Sequence, residues 1–135
     1  MVIRVGVGVL IFNQQNQILL GKRTTKYGFG TWACPGGHLE LYETPFACAV
    51  RETQEETGLI IADLKKGPWV NTIFPQDNHH YVTVFVLTRH YQGTPRGLEP
   101  DKCAEWQWFD VKHLPQPLFA TIETLIAEGA FPTQF

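Results

Sequence analysis

The sequence predicts an α+β fold in which several strands lead into a helix, more strands follow, and a second helix closes the chain. Two observations carry this. Short apolar or alternating segments bounded by turn residues recur along the chain, while only two segments repeat apolar residues at helical spacing. The strands are not regularly interleaved with helices, so a repeating βαβ architecture is not expected. The 135 residues fit a single domain, 1–135, with one closed core.

Residues 2–12 form the first predicted strand. Val5, Val7 and Val9 alternate with Gly6 and Gly8, giving one branched face and one bare face. Glycine inside a strand marks close approach of another backbone or of a ligand, and both readings stand here. Residues 13–16 are a polar turn and residues 17–23 a second strand, so the pair reads as a hairpin. A glycine-containing loop, 24–30, leads to a short extended piece, 31–34, which Pro35-Gly36-Gly37 breaks. A helix over residues 45–57 has Thr44 as N-cap, Pro45 at its first position and Gly58 as its stop. Strands are predicted at 59–64, 69–74 and 81–89, with a polar loop at 75–80, then a Gly- and Pro-rich surface loop at 92–102. The last strand covers 105–110. After Pro115 and Pro117, Leu118, Ile122, Leu125 and Ile126 recur at helical spacing.

Composition is that of an ordinary globular protein, with 44% hydrophobic and 18% charged residues. The net charge of −2 argues against a chain that grips a nucleic-acid backbone with its own charge. A bound polyphosphate would then need metal ions for much of its neutralisation. Cys34, Cys48 and Cys103 lack the two-residue spacing of zinc or redox motifs and read as reduced thiols. The start of the sequence has no secretory pattern and no apolar run reaches membrane-spanning length, so a cytoplasmic protein without a membrane partner is expected.

The segment GHLELYETPFACAVRETQEETGL, residues 37–59, carries the chemistry. At 100° per residue, Phe46, Val50, Thr53 and Thr57 share a wedge, the expected core-facing stripe. Glu52, Glu55 and Glu56 gather on another face at i, i+3 and i+4. Like charges at that spacing repel, and the helix dipole disfavours them in the last turns. Arg51 is the sole basic residue of the helix and pairs best with Glu55. A divalent cation would reverse the repulsion, since Mg²⁺ takes carboxylate oxygens and keeps positions open for phosphates. On their own, three helical glutamates equally describe a solvated acidic face.

The whole pattern resembles the Nudix signature: Gly, five residues, Glu, seven residues, Arg-Glu, a bulky apolar residue, any residue, Glu-Glu, any residue, Gly, a bulky apolar residue. Gly37, Glu43, Arg51, Glu52, Glu55, Glu56, Gly58 and Leu59 all fit; Thr53 departs at the first bulky apolar position. At a background of roughly 6–7% per position, seven chance matches are on the order of 10⁻⁸. The flanking segments Gly21-Lys22-Arg23, Cys34-Pro35-Gly36-Gly37-His38, Tyr81-Val82-Thr83 and Glu99-Pro100-Asp101-Lys102-Cys103 through Trp108 are similar to the MutT-related nucleoside triphosphate diphosphatases that act on modified purine nucleotides.

That resemblance implies an α/β/α sandwich around a mixed sheet, hydrolysis of nucleoside triphosphates to monophosphate and pyrophosphate, and a homodimer. It implies Mg²⁺, with Mn²⁺ able to substitute, on Glu52 and Glu56, with Glu55 as third ligand or supporting partner and a Gly36 or Gly37 carbonyl as a further ligand. Arg51 orients the carboxylates and ties the helix to Glu43. Glu105 and Glu99 are the candidate general bases. Alternation sends Lys22 and Arg23 to opposite faces, and Arg23 resembles the phosphate-contacting position. His38 follows the glycine turn as another phosphate contact, whereas His79, His80, His90 and His113 read as surface or structural. Base-pocket walls are expected from Gly6, Gly8, Thr83, Phe119, Thr121 and Ile122. Ala120-Thr121 stands where close relatives carry Trp-Gly, a departure that weakens the transfer of their purine selectivity to this chain. Trp106 and Trp108 share a strand face and fit core packing or a dimer contact. The expected partner is a small nucleotide, not a nucleic-acid polymer. Hydrolysis of ADP-ribose or a nucleotide-sugar is the alternative, and a non-catalytic nucleotide sensor a lesser one.

Overall fold

A computed structural model describes residues 2–133. Nine strands and two helices are present among them: β1 (Ile3–Ile11), β2 (Gln17–Arg23), β3 (Trp32–Ala33), β4 (Gly36–His38), α1 (Pro45–Thr57), β5 (Ile60–Ala62), β6 (Lys65–Phe74), β7 (His79–Thr88), β8 (His90–Gln92), β9 (Cys103–Asp110) and α2 (Ala120–Ala127). The main sheet runs β4-β1-β7-β6 and is mixed: β1 and β7 are parallel, and the outer pairs are antiparallel. A second, antiparallel sheet runs β3-β2-β9, and β5 pairs with β8.

Alternation along β1 divides the interior. Val7, Val9 and Ile11 join Cys48, Ala49, Leu59 and Val86 in the cluster covered by α1. Leu10 joins Leu20, Val70, Phe85, Leu118, Ile122 and Leu125 in the cluster covered by α2. Burial of both faces against helices gives the α+β sandwich that the sequence predicts.

Several boundaries differ from expectation. The Pro35-Gly36-Gly37 break starts a new strand: Gly36 and His38 pair with Gly8 and Gly6 of β1. Only glycine permits this, because a Cβ on Gly36 would collide with the Val7 carbonyl. β6 begins at Lys65, with an irregularity between Lys66 and Trp69 around Gly67-Pro68. The expected loop at 75–80 shrinks to a turn, because Asn78 adopts the left-handed conformation and His79 already belongs to β7. β8 falls in a segment whose few residues carry no alternation signal.

Helix α1 has the predicted caps: Thr44 Oγ1 accepts from the Ala47 N–H at 3.1 Å, and Gly58 is left-handed. Its buried face is Cys48, Ala49, Glu52, Thr53, Glu56 and Thr57. Thr53 and Thr57 are therefore placed as expected, but Phe46 is exposed and Val50 only partly buried. The sheet meets α1 along its middle and end, so small residues and two glutamates occupy the contact that the helical wheel assigns to bulkier ones. In α2, Ile122 and Leu125 are buried while Ile126 is exposed. Trp106 and Trp108 are partly buried against the α1-side cluster, and the Trp108 ring lies tilted against Tyr91 with centroids 5.2 Å apart.

Candidate active site

At the C-terminal half of α1, Arg51 organises the carboxylates. Its Nε and Nη2 donate to the two Glu43 oxygens at 2.7 and 3.1 Å, a bidentate contact. Its Nη1 donates to Glu52 Oε1 at 2.7 Å and to Glu55 Oε1 at 3.4 Å. The guanidinium holds Glu43 down to a pKa of about 2. Glu55 is nearly half exposed, whereas Glu52 and Glu56 are buried. Sequence spacing groups the three glutamates, but the fold separates them into a buried pair and an outlier.

The buried pair is an electrostatic problem that a cation would solve. Glu52 Oε2 is buried with no donor, and Glu56 is its neighbour. Burial and the Glu52 carboxyl push Glu56 up to about 9. Without a cation, Glu56 therefore favours its protonated form. The Gly36 N–H approaches Glu56 Oε1 at 3.3 Å, and a Cβ on Gly37 would collide with the Glu52 carboxyl. Among the described residues, no three His, Cys, Asp or Glu side chains gather closely enough to hold a metal by themselves. Two oxygen donors beside a glycine backbone still fit Mg²⁺, which keeps several waters and takes one or two carboxylates together with substrate phosphates.

On the glycine wall that covers this pair, a cleft extends along β4 and β1 over Gly36, Gly37 and His38, past Gly6, Gly8 and Thr83, to Arg23, Phe119 and Thr121. All of these are positions that the resemblance places against substrate. His38 Nε2 is 2.8 Å from the Tyr81 hydroxyl, and burial together with the Arg4 charge lowers its pKa. Arg23 lies on the cleft side while Lys22 rests over Trp32, as alternation predicts. The Arg23 guanidinium stacks 4.4 Å above Phe119, with Nε on the Tyr27 carbonyl at 2.9 Å and Nη2 on Thr25 Oγ1 at 3.1 Å.

Two expected residues fall elsewhere. Ile122 is fully buried in the α2-side core, because the start of α2 turns Thr121 to the cleft and Ile122 inward. Glu105 is exposed, at a left-handed residue where the β2–β9 register shifts, and does not line the cleft. Glu99 lies nearer the acidic pair: its charge contributes to the high pKa of Glu56, and its Oε1 is buried without a hydrogen bond.

Sequence reasoning missed the aromatic end. Tyr27, Phe74, Tyr81 and Cys34 line the same cleft. Tyr27 makes edge contacts with Phe74, His79 and Phe119 at 4.5, 5.3 and 5.8 Å. Its hydroxyl is buried without a partner, and desolvation raises its pKa. These residues come from three separate segments, and no spacing rule joins them. Gly28 was the available signal: it is left-handed, and a Cβ there would strike Phe119.

A buried carboxylate pair behind the glycine wall at one end of a cleft and an aromatic chamber at the other are the features of a pyrophosphohydrolase. The NUDIX domain family model matches residues 2–128, and the chain belongs to the Nudix hydrolase family. The crystal structure of a MutT NUDIX hydrolase from Burkholderia pseudomallei is similar at TM-score 0.88 and 32% identity, over 98% of this chain and 100% of that one. An RNA pyrophosphohydrolase of Gluconacetobacter diazotrophicus is 27% identical over 134 residues, covering 84% of this chain and 80% of that protein. An m7GpppN-mRNA hydrolase of Xenopus laevis is 32% identical over 111 residues, covering 73% of this chain and 38% of that protein. Nudix hydrolases generally use a divalent metal. Among the described residues, no helix is long and apolar enough to cross a membrane.

Proposed function

We propose that this Nudix hydrolase cleaves nucleoside triphosphates, modified purine nucleotides among them, to nucleoside monophosphate and pyrophosphate. The observation that carries the reading is one cleft that runs from Gly36 and Gly37, the glycines in contact with Glu56 and Glu52, to the aromatic chamber of Tyr27, Phe74 and Phe119. Phosphates and a flat base can then be held at once.

Glu52 and Glu56 would hold Mg²⁺ or Mn²⁺, helped by the Gly37 carbonyl. When bound, the ion supplies charge neutralisation on phosphate oxygens and a more acidic water. Arg51 fixes Glu52 against Glu43 and Glu55, so the carboxylate is oriented before substrate arrives. Glu99 accepts the proton of the attacking water in preference to Glu105, because its carboxylate borders the acidic pair. Phe119 and Tyr27 hold the base, His38 borders the phosphate path, and pyrophosphate leaves as the water oxygen bonds to phosphorus. Positioning and charge stabilisation are the main contributions.

A second reading has its own support. Relatives named RNA pyrophosphohydrolase and mRNA hydrolase widen the small-molecule expectation to the 5′ end of RNA. A cytoplasmic setting is part of the proposal, and so is the homodimer, which rests on resemblance alone; light scattering of the purified protein reads the dimer directly.

The test is a panel of canonical, oxidised and methylated nucleoside triphosphates, ADP-ribose, a nucleotide-sugar, and 5′-triphosphorylated and capped RNA, assayed with Mg²⁺ and product analysis. Pyrophosphate with monophosphate from free triphosphates is the expected result. Turnover confined to RNA ends moves the assignment to the second reading, and AMP plus a sugar phosphate as the only products sinks both.

A further inference from the structure

A polyphosphate at this site needs cationic donors that the protein is not already using. Among the described residues around the cleft, Arg51 is engaged by Glu43, Glu52 and Glu55. Arg23 has Nε and Nη2 tied to its own loop and its plane stacked on Phe119. Arg4 lies at the exposed start of β1.

Lys102 is held less fully than Arg51 or Arg23: among the described residues its ammonium has one ion pair, with Glu99. The segment 96–103 is stitched across the site: Arg96 N–H donates to the Thr57 carbonyl at 2.9 Å, and Leu98 N–H to the Glu56 carbonyl at 3.1 Å. At its far end, Thr24 N–H donates to the Lys102 carbonyl at 2.9 Å, and Thr24 Oγ1 donates to the Pro100 carbonyl at 2.7 Å. Between these anchors, Lys102 N–H closes a turn on the Glu99 carbonyl at 2.9 Å. Lys102 is thereby fixed between the last turn of α1 and the end of β2. Its Nζ is 3.6 Å from Glu99 Oε1, too long for a hydrogen bond, and its side chain is 54% exposed. Partial burial alone would lower its pKa; the charges of Glu99, Glu52 and Glu56 outweigh that and raise it.

We infer that Lys102 is the phosphate-contacting residue of this site: the turn at residues 99–102 holds its ammonium at Glu99, in the segment that Leu98 ties to the Glu56 carbonyl, where it takes non-reacting oxygens of the bound polyphosphate. The inference rests on the reading of Glu52 and Glu56 as the cation site. It makes Lys102 a partner of the substrate and a competitor of the metal. In the absence of substrate its charge lies in the field of the same carboxylates that bind the ion.

That double role gives opposite signs to two measurements on one variant. Lys102→Ala should raise KM for ATP with Mg²⁺ about tenfold, the loss of one charge-assisted hydrogen bond. Lys102→Arg should restore most of it. In the substrate-free protein, Lys102→Ala should tighten Mn²⁺, read by paramagnetic resonance of the free ion, by about threefold. A purely structural lysine would instead lower thermal stability and weaken Mn²⁺ together, and that result overturns the inference. So does a KM within about twofold of the parent. If the parent releases no pyrophosphate from ATP, the proposed substrate fails. Calorimetry of inorganic tripolyphosphate with Mn²⁺ then decides on Lys102 separately: weaker binding by Lys102→Ala upholds it, and equal binding removes it.

Discussion

At the acidic end of the cleft, one guanidinium gathers Glu43, Glu52 and Glu55 through hydrogen bonds, and a glycine is shaped around the Glu52 carboxyl. At the aromatic end, Tyr27, Phe74 and Phe119 meet only as rings, with Arg23 laid across Phe119. The first region is directional: each side chain has one workable geometry, and replacing it breaks a network. The second is held by apolar contact, which tolerates shifts of shape. Chemistry common to a whole family can sit on the first, while substrate choice can drift on the second.

The sharpest way to break that contrast is Glu56→Gln. It should reduce Mg²⁺-dependent turnover by at least about 10³-fold while the protein stays folded. Retained turnover in a kinetic assay would remove Glu56 from the metal site. Tyr27→Ala should act differently, raising KM about tenfold or more through lost stacking, with a smaller change in kcat. If steady-state kinetics show kcat and kcat/KM falling equally, the aromatic end belongs to the chemistry and the contrast fails.

The acidic end also predicts a pH dependence. Glu56 has its folded pKa raised from 4.5 to about 9, so the folded chain binds that proton more tightly than the unfolded chain. Stability of the chelated protein should therefore fall as pH rises from 4.5 toward 9, because only the unfolded chain ionises freely in that window. Mg²⁺ should flatten the decline by replacing the proton, and thermal melts with and without chelator check this. A chelated protein whose Tm rises through that range would contradict the raised pKa of Glu56.

The smallest effect tests the one departure from the signature. Thr53 is fully buried and its hydroxyl has no hydrogen-bond partner. Thr53→Val should stabilise the fold by about 1 kcal/mol in denaturant titration, with activity unchanged, since it removes an unsatisfied polar group at constant shape. Destabilisation would mean that the hydroxyl has a partner, such as a buried water.

Much of this was written locally. The caps of α1 stand one residue outside it, at Thr44 and Gly58, so its limits follow from sequence alone. β2 is likewise bounded by turn residues and runs over the predicted residues. Alternation in β1 anticipates a strand with two different faces, and the glutamate spacing anticipates a cation site. Short-range rules capture these because capping, alternation and charge repulsion act over a few residues.

The tertiary structure decided what depends on distant partners. It separated Glu55 from Glu52 and Glu56, since burial depends on where β4 and the 96–103 segment close over α1. It turned a glycine break into β4, because the Val7 carbonyl lies where any Cβ would stand. It moved Ile122 into the core and brought Tyr27 to Phe119 across more than half the chain. It also set Glu99 and Lys102, rather than Glu105, in the segment that Leu98 ties to the Glu56 carbonyl. A sequence fixes such positions only through the packing of the whole chain, because the energy of a buried charge or a ring contact belongs to neighbours that folding alone assembles.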